Sequence, residues 1–175
     1  LCSVMQVITR AVDQDIEPFC DHIVALLLQV LNNEHAIASE EAFMALGAIA
    51  STIEQAFDKY MGDFFPFLIK GLRNYADWQV CSASVGTAGD VCRALESRIL
   101  PYCDEIVRCL LEDLQNPTLN RQVKPAVLSC FGDIALAVSG NFVKYLPSTL
   151  QMLEQAAAMK ICLLYTSDAA DEVRR

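Results

Sequence analysis

Pro18-Phe19-Cys20-Asp21-His22-Ile23-Val24 returns 83 residues on as Pro101-Tyr102-Cys103-Asp104-Glu105-Ile106-Val107. Halfway between them stands Lys59-Tyr60, and beyond them Lys144-Tyr145. An aromatic residue therefore recurs at 19, 60, 102 and 145, at intervals of 41, 42 and 43. After each aromatic an apolar stripe begins. Ile23, Leu26, Leu27, Val30 and Leu31 keep the i, i+3, i+4, i+7, i+8 spacing of one helix face. Phe64, Phe67, Leu68 and Leu72 repeat it, as do Ile106, Cys109, Leu110 and Leu114, and Thr149, Met152, Leu153, Ala156 and Ala157 give a weaker fourth copy.

A second helix follows each of the first three. Leu46-Gly47-Ala48-Ile49, Ala88-Gly89-Asp90-Val91 and Phe131-Gly132-Asp133-Ile134 are spaced by 42 and 43. Glycine inside a helix costs about 1 kcal/mol against alanine, so three at one register require a packing reason. Close approach of a neighbouring helix supplies it. Asn32-Asn33, Asn74-Tyr75-Ala76-Asp77 and Asn116-Pro117 mark the ends of first helices. No stretch alternates with period two, so no strands are expected.

Helix pairs at 41 to 43 residues define an all-α fold, an α-α superhelix of the HEAT or armadillo type. The period is too long for tetratricopeptide or ankyrin repeats. The expected layout for 1–161 is half a repeat, three full repeats and one lone first helix. That gives seven helices preceded by the tail of an eighth, a solenoid truncated at both ends. Such arrays bury a core between neighbours and leave long helical surfaces for partners.

The net charge of −9 and a pI near 4.6 argue against nucleic acid or an anionic membrane as main partner, since both are polyanions. The apolar runs Ile23–Leu28 and Met44–Ala50 fall far short of a bilayer span. The eight cysteines include no C-x-x-C pair and the only histidines are His22 and His35, so no metal or cofactor is expected and the thiols read as small core residues. Enzymatic motifs are missing: no G-x-S-x-G, no H-E-x-x-H, and Gly86-Thr87-Ala88-Gly89 lacks the strand and Lys-Ser/Thr of a phosphate loop. Asp104-Glu105 reads as a pair of carboxylates at a helix start, favoured by the helix dipole. A binding protein is expected, not an enzyme.

Several ordered stretches carry a resemblance. Asn74-Tyr75-Ala76 with Gln79-Val80-Cys81, then Gly89-Asp90-Val91-Cys92-Arg93-Ala94-Leu95, then Lys124-Pro125 with Phe131-Gly132-Asp133-Ile134-Ala135-Leu136-Ala137, resemble the karyopherin-β family of nuclear transport receptors, which are made of HEAT repeats. The likeness runs over about residues 1 to 160. It implies a carrier moving between cytoplasm and nucleus through nuclear envelope pores. The implied partners are an importin-alpha-type adaptor or the basic nuclear localisation segment of cargo, the GTPase Ran, and phenylalanine-glycine nucleoporins. In the family the adaptor segment lies on the inner wall of second helices, and nucleoporins dock between first helices. A HEAT scaffold of another kind, such as a phosphatase regulatory subunit, is the alternative that the repeat alone allows.

On the inner wall the resemblance points to Glu40 and Glu41 as acidic contacts, with a solvated helix start as the competing reading. Trp78 could stack on an adaptor arginine or wedge the turn between helices. Acid is not concentrated on that wall: the second-helix segments sum to −3 and the first-helix segments to −5. Residues 162–175 match no repeat position and read as a non-family tail, not expected to dock as a second helix.

Overall fold

The computed structural model describes residues 13–33 and 38–155. Chain contacts divide it into one compact unit up to Phe142 and another from Val143. Among the described residues the first unit holds six α-helices: α1 (Cys20–Asn32), α2 (Ser39–Ile53), α3 (Met61–Leu72), α4 (Trp78–Leu95), α5 (Leu100–Gln115) and α6 (Lys124–Val138). Short 3₁₀ segments, Glu54–Tyr60 and Glu96–Ile99, join one pair to the next. In the second unit α7 covers 146–155, with Tyr145, Thr149 and Met152 buried. The described residues contain no strand. The expected eighth-helix tail and residues 162–175 lie outside them.

Within the first unit α1, α3 and α5 form one layer and α2, α4 and α6 the other. Each first helix packs on its own second helix, and like helices pack on like. The α2–α4 and α4–α6 contacts are the most extensive, because their facing positions are small: Ala42, Ala45, Gly47, Ala48, Ser84, Thr87, Ala88 and Gly89 are all buried. Thr87 Oγ1 adds a cross-helix tie, donating at 2.8 Å to the Phe43 carbonyl. Phe57, Phe64 and Phe43 fill the middle of the core, with ring centroids 6.0 and 6.3 Å from Phe64.

Two sequence expectations shift in detail. The buried face of α1 is Cys20, Val24, Leu27 and Leu31, while Leu26 is 45% exposed. The helix is therefore turned by one position from the stripe read in sequence, because both Val24 and Ile23 satisfied the apolar pattern. The stretch Lys124–Lys144, 21 residues with an 18-residue window of mean hydropathy 1.6, is long and apolar enough to cross a membrane by those measures, which the shorter runs above did not reveal. In the fold Val127, Cys130, Phe131, Ile134 and Val138 of this stretch are buried as α6 packs on α4 and α5.

The recurring aromatics link successive repeats. Tyr60 Oη donates to Asp21 of α1 at 2.5 Å, and the Tyr102 ring packs against Phe65 of α3, tilted by 53° with centroids 4.8 Å apart. Lys59 also reaches Asp21, at 2.7 Å. Hydrogen bonds from Lys59 and Tyr60 hold the Asp21 carboxyl below its usual range. Asp104 and Glu105 sit one turn inside α5 and not at its start, and Glu105 instead pairs with Arg108 and with Arg73 of the preceding repeat.

Three junctions share a backbone feature absent from the sequence reading. Glu54, Glu96 and Ser139 close the three second helices with φ of 48°, 50° and 47°. Each cap amide bonds back to the carbonyl four residues earlier, at Ala50, Cys92 and Ala135. L-residues occupy this region at a penalty, and the repetition at one register shows that the chain reversal into the next repeat demands it.

Candidate protein-binding site

The exposed ends of α2 and α4 enclose a groove of about 400 Å³, lined by Glu40, Met44, Trp78, Ser82, Gly86 and Asp90 among others. Its geometry follows from helix caps and small residues. Asp77 caps α4, its carboxylate accepting from the amides of Gln79 at 3.1 Å and Val80 at 3.3 Å, and its own amide donates to Asn74 Oδ1 at 3.2 Å. Trp78 is thereby fixed as the first residue of α4, 36% exposed at the groove end. Gly86 leaves the floor open, with nothing beyond its own helix backbone within 4 Å of where a Cβ would stand among the described residues.

The structure brings Glu40 and Trp78 to the same groove and separates Glu41 from it. Glu41 is half-buried, and its Oε2 is buried with no hydrogen-bond partner among the described residues. Sequence spacing could not divide the two: adjacent helical residues point about 100° apart, and which one faces solvent depends on how α2 is seated.

Asp90 is a groove residue that sequence reasoning singled out only as part of a motif. Its carboxylate crowds Gly47, lying 2.5 Å from an ideal Cβ there, and pairs with Arg93. Arg93 in turn reaches Asp133 of α6 at 2.5 Å, and Asp133 crowds Gly89 in the same way. The glycines at 47 and 89 are therefore seats for the next repeat's aspartate. Gly132, the third, has nothing within 4 Å of its Cβ position among the described residues. A third close approach, unread in sequence, occurs at Gly71 of α3, where a Cβ would meet Phe43 Cζ at 2.6 Å and Ser84 Cβ at 2.8 Å.

Beside the same starts of α2 and α4, towards α1 and α3, lies a second depression of about 230 Å³. Its apolar lining comes from Leu31, Phe43, Phe67 and Val80, with Lys70 and Asn74 at the rim. The described cysteines 20, 81, 92, 103, 109 and 130 are free and buried. Burial pushes the Cys81 thiol up to about 12 and the Cys109 thiol to about 11, so both stay protonated and unreactive at neutral pH. No cluster of three or more metal-ligating side chains occurs among the described residues.

A protein-family model described as "Importin subunit beta-1-like, TPR repeats" matches residues 1–173. The pair spacing of 41 to 43 seen here is longer than the 34 residues of a tetratricopeptide unit. Importin subunit beta-1 of Arabidopsis thaliana is 42% identical over 178 residues, covering 99% of this chain and 20% of that protein. The Schizosaccharomyces pombe protein of the same name is 41% identical over 162 residues, covering 91% of this chain and 19% of its own length. A crystal structure of importin beta in an ammonium sulfate condition superposes with TM-score 0.84 at 42% identity, covering 89% of this chain and 18% of that one. The Kap95:Nup1 complex gives 0.80 at 30% identity, with 86% and 18% covered. A Kap95p structure whose binding induces the switch loops of RanGDP to adopt the GTP-bound conformation gives 0.73 at 30%, again with 86% and 18% covered. The chain spans about a fifth of the length of the relatives it matches. The chain belongs to the importin subunit beta-1 family.

Proposed function

We propose that this chain is a partner-binding segment of a nuclear import receptor, not an enzyme. In this reading the α2–α4 groove takes the basic segment of an importin-alpha-type adaptor, or the basic nuclear localisation segment of a cargo. Trp78 offers its ring face to a guanidinium while Glu40 and Asp90 supply charge. The convergence of these three side chains on one groove carries the reading, because a ring and carboxylates together suit arginine better than either alone. Glu41 belongs to the same acidic turn, but its Oε2 is buried and it does not line the groove, which gives it a supporting role at most. Ran and phenylalanine-glycine nucleoporins are proposed as further partners of the whole receptor, which would work in cytoplasm and nucleus and at nuclear envelope pores.

Trp78 is the only tryptophan in the chain, so its fluorescence reports on the groove directly. Titration with a basic adaptor peptide should change Trp78 emission, and affinity should fall steadily as salt rises. A fluorescence response that is unchanged by Glu40→Lys, or no response at low salt, would remove the groove from the binding site.

A further inference from the structure

The turn from α3 to α4 rests on a buried carboxylate of the following repeat. Tyr75 Oη donates to Asp113 Oδ1 at 2.9 Å. Asp113 is 0% exposed, and its Oδ2 is buried without a hydrogen-bond partner among the described residues. A negative charge there would be poorly compensated. Asp113 also lies in the last turn of α5, where helix carbonyls disfavour negative charge. Among the described residues no cation makes an ion pair with it. Arg73, the nearest, forks to Glu105 and Glu112 at 3.4 Å each. The other groups around it are the Cys81 thiol, which donates to the Leu72 carbonyl at 3.3 Å, and on its own helix Glu112 and Cys109.

We propose that the Tyr75–Asp113 contact is a proton-controlled latch. A neutral Asp113 carboxyl holds the turn 73–77 down on α5, and a charged one lets the turn lift so that water reaches Oδ2. The turn leads directly into Asp77 and Trp78, so the latch sets how firmly the start of α4 is held.

The linkage has a definite sign. Burial raises the Asp113 carboxyl from its ordinary 3.8 to about 6, outweighing the Tyr75 hydrogen bond, which favours the charged form. A group with a raised pKa in the closed form binds its proton more tightly closed than open. The added hold is complete below about pH 4 and is lost as pH rises through 6. Two pH units correspond to about a hundredfold in the opening constant over the full range. Between about pH 5.2 and 7.5, where this acidic chain is away from its pI, the expected change is roughly five- to tenfold.

Hydrogen exchange of the full chain tests this. The Cys81 amide donates to the Asp77 carbonyl at 3.0 Å and the Val80 amide to its carboxylate at 3.3 Å, so both report the turn. After correction for intrinsic rates, their protection should fall roughly five- to tenfold from about pH 5.2 to 7.5, while Val127 in α6 stays level. Asp113→Asn should flatten the dependence and keep protection high throughout. Tyr75→Phe should loosen the turn at both pH values. Carbon-13 titration of the unmodified chain gives an answer that does not depend on any variant folding. An Asp113 midpoint above about 5.5 is expected, and a midpoint near 4 overturns the latch. PH dependence that survives Asp113→Asn overturns it equally.

Discussion

The carboxylate of Asp133 stands where a side chain on Gly89 would have to go: its Oδ2 lies 2.6 Å from an ideal Cβ on that glycine. The same relation holds one repeat earlier between Asp90 and Gly47, and Arg93 pairs with both aspartates. Stacking of second helices is thus specified by a glycine in one repeat and an aspartate in the next. The contact converts a repeat in sequence into a register in space.

Gly89→Ala should destabilise the chain by about 1–2 kcal/mol, although alanine is the better helix former. The aspartate cannot swing away freely because Arg93 holds it. Gly86→Ala, three residues earlier on open surface, should instead stabilise by about 0.5–1 kcal/mol. Urea unfolding of the two variants should move in opposite directions. Equal shifts would show that Asp133 exerts no constraint.

Gly71→Ala should be the most damaging of the glycine changes. Its Cβ meets the end of the Phe43 ring and Ser84 Cβ, both in the packed core. Overpacking of this kind costs about 1–3 kcal/mol, and a melting temperature within error of the parent would contradict the packing described.

Glu54→Gly should raise thermal stability by about 1 kcal/mol. Relief of the positive-φ penalty, about 1–3 kcal/mol, outweighs the extra freedom that glycine gives the unfolded chain. Glu54→Val should lower stability, since a β-branched residue fits that region worst. Calorimetry on both variants checks the sign.

Charge reversal at Glu40 and at Glu41 should give different outcomes. Glu40→Lys alters the groove wall and should weaken a basic peptide by roughly threefold to tenfold, with little change in melting temperature. Glu41→Lys forces a longer cation into a half-buried site and should lower the melting temperature by several degrees. Peptide titration and thermal melts, run side by side, separate a binding residue from a folding one.

Thr87→Val keeps shape but removes the donor to the Phe43 carbonyl, and should cost about 1 kcal/mol. A neutral result in denaturant unfolding would mean that α2 and α4 are held by packing alone.

The sequence by itself determined the helix pairs, their order and their spacing. Aromatics at 60 and 102, apolar stripes at helical period and the breaks after Leu72 and Gln115 are local signals, and the chain obeys them because an apolar stripe can be buried only on one side. It also determined the family, through stretches that match in order. It pointed to Gly47, Gly89 and Gly132 as close-approach sites, since a helical glycine without such a cause is a loss, and the first two are such sites. Tertiary structure alone decided what approaches them: an aspartate from the next repeat, some 43 residues away. It likewise decided that Val24 and not Ile23 faces the core, that Glu40 faces the groove while Glu41 turns from it, and that Tyr75 binds a carboxylate 38 residues on. Periodicity fixes which residues share a helix face to within one position. Rotation of that face, and the partner opposite it, follow from how side chains of distant repeats fit together, and no local pattern contains that fit.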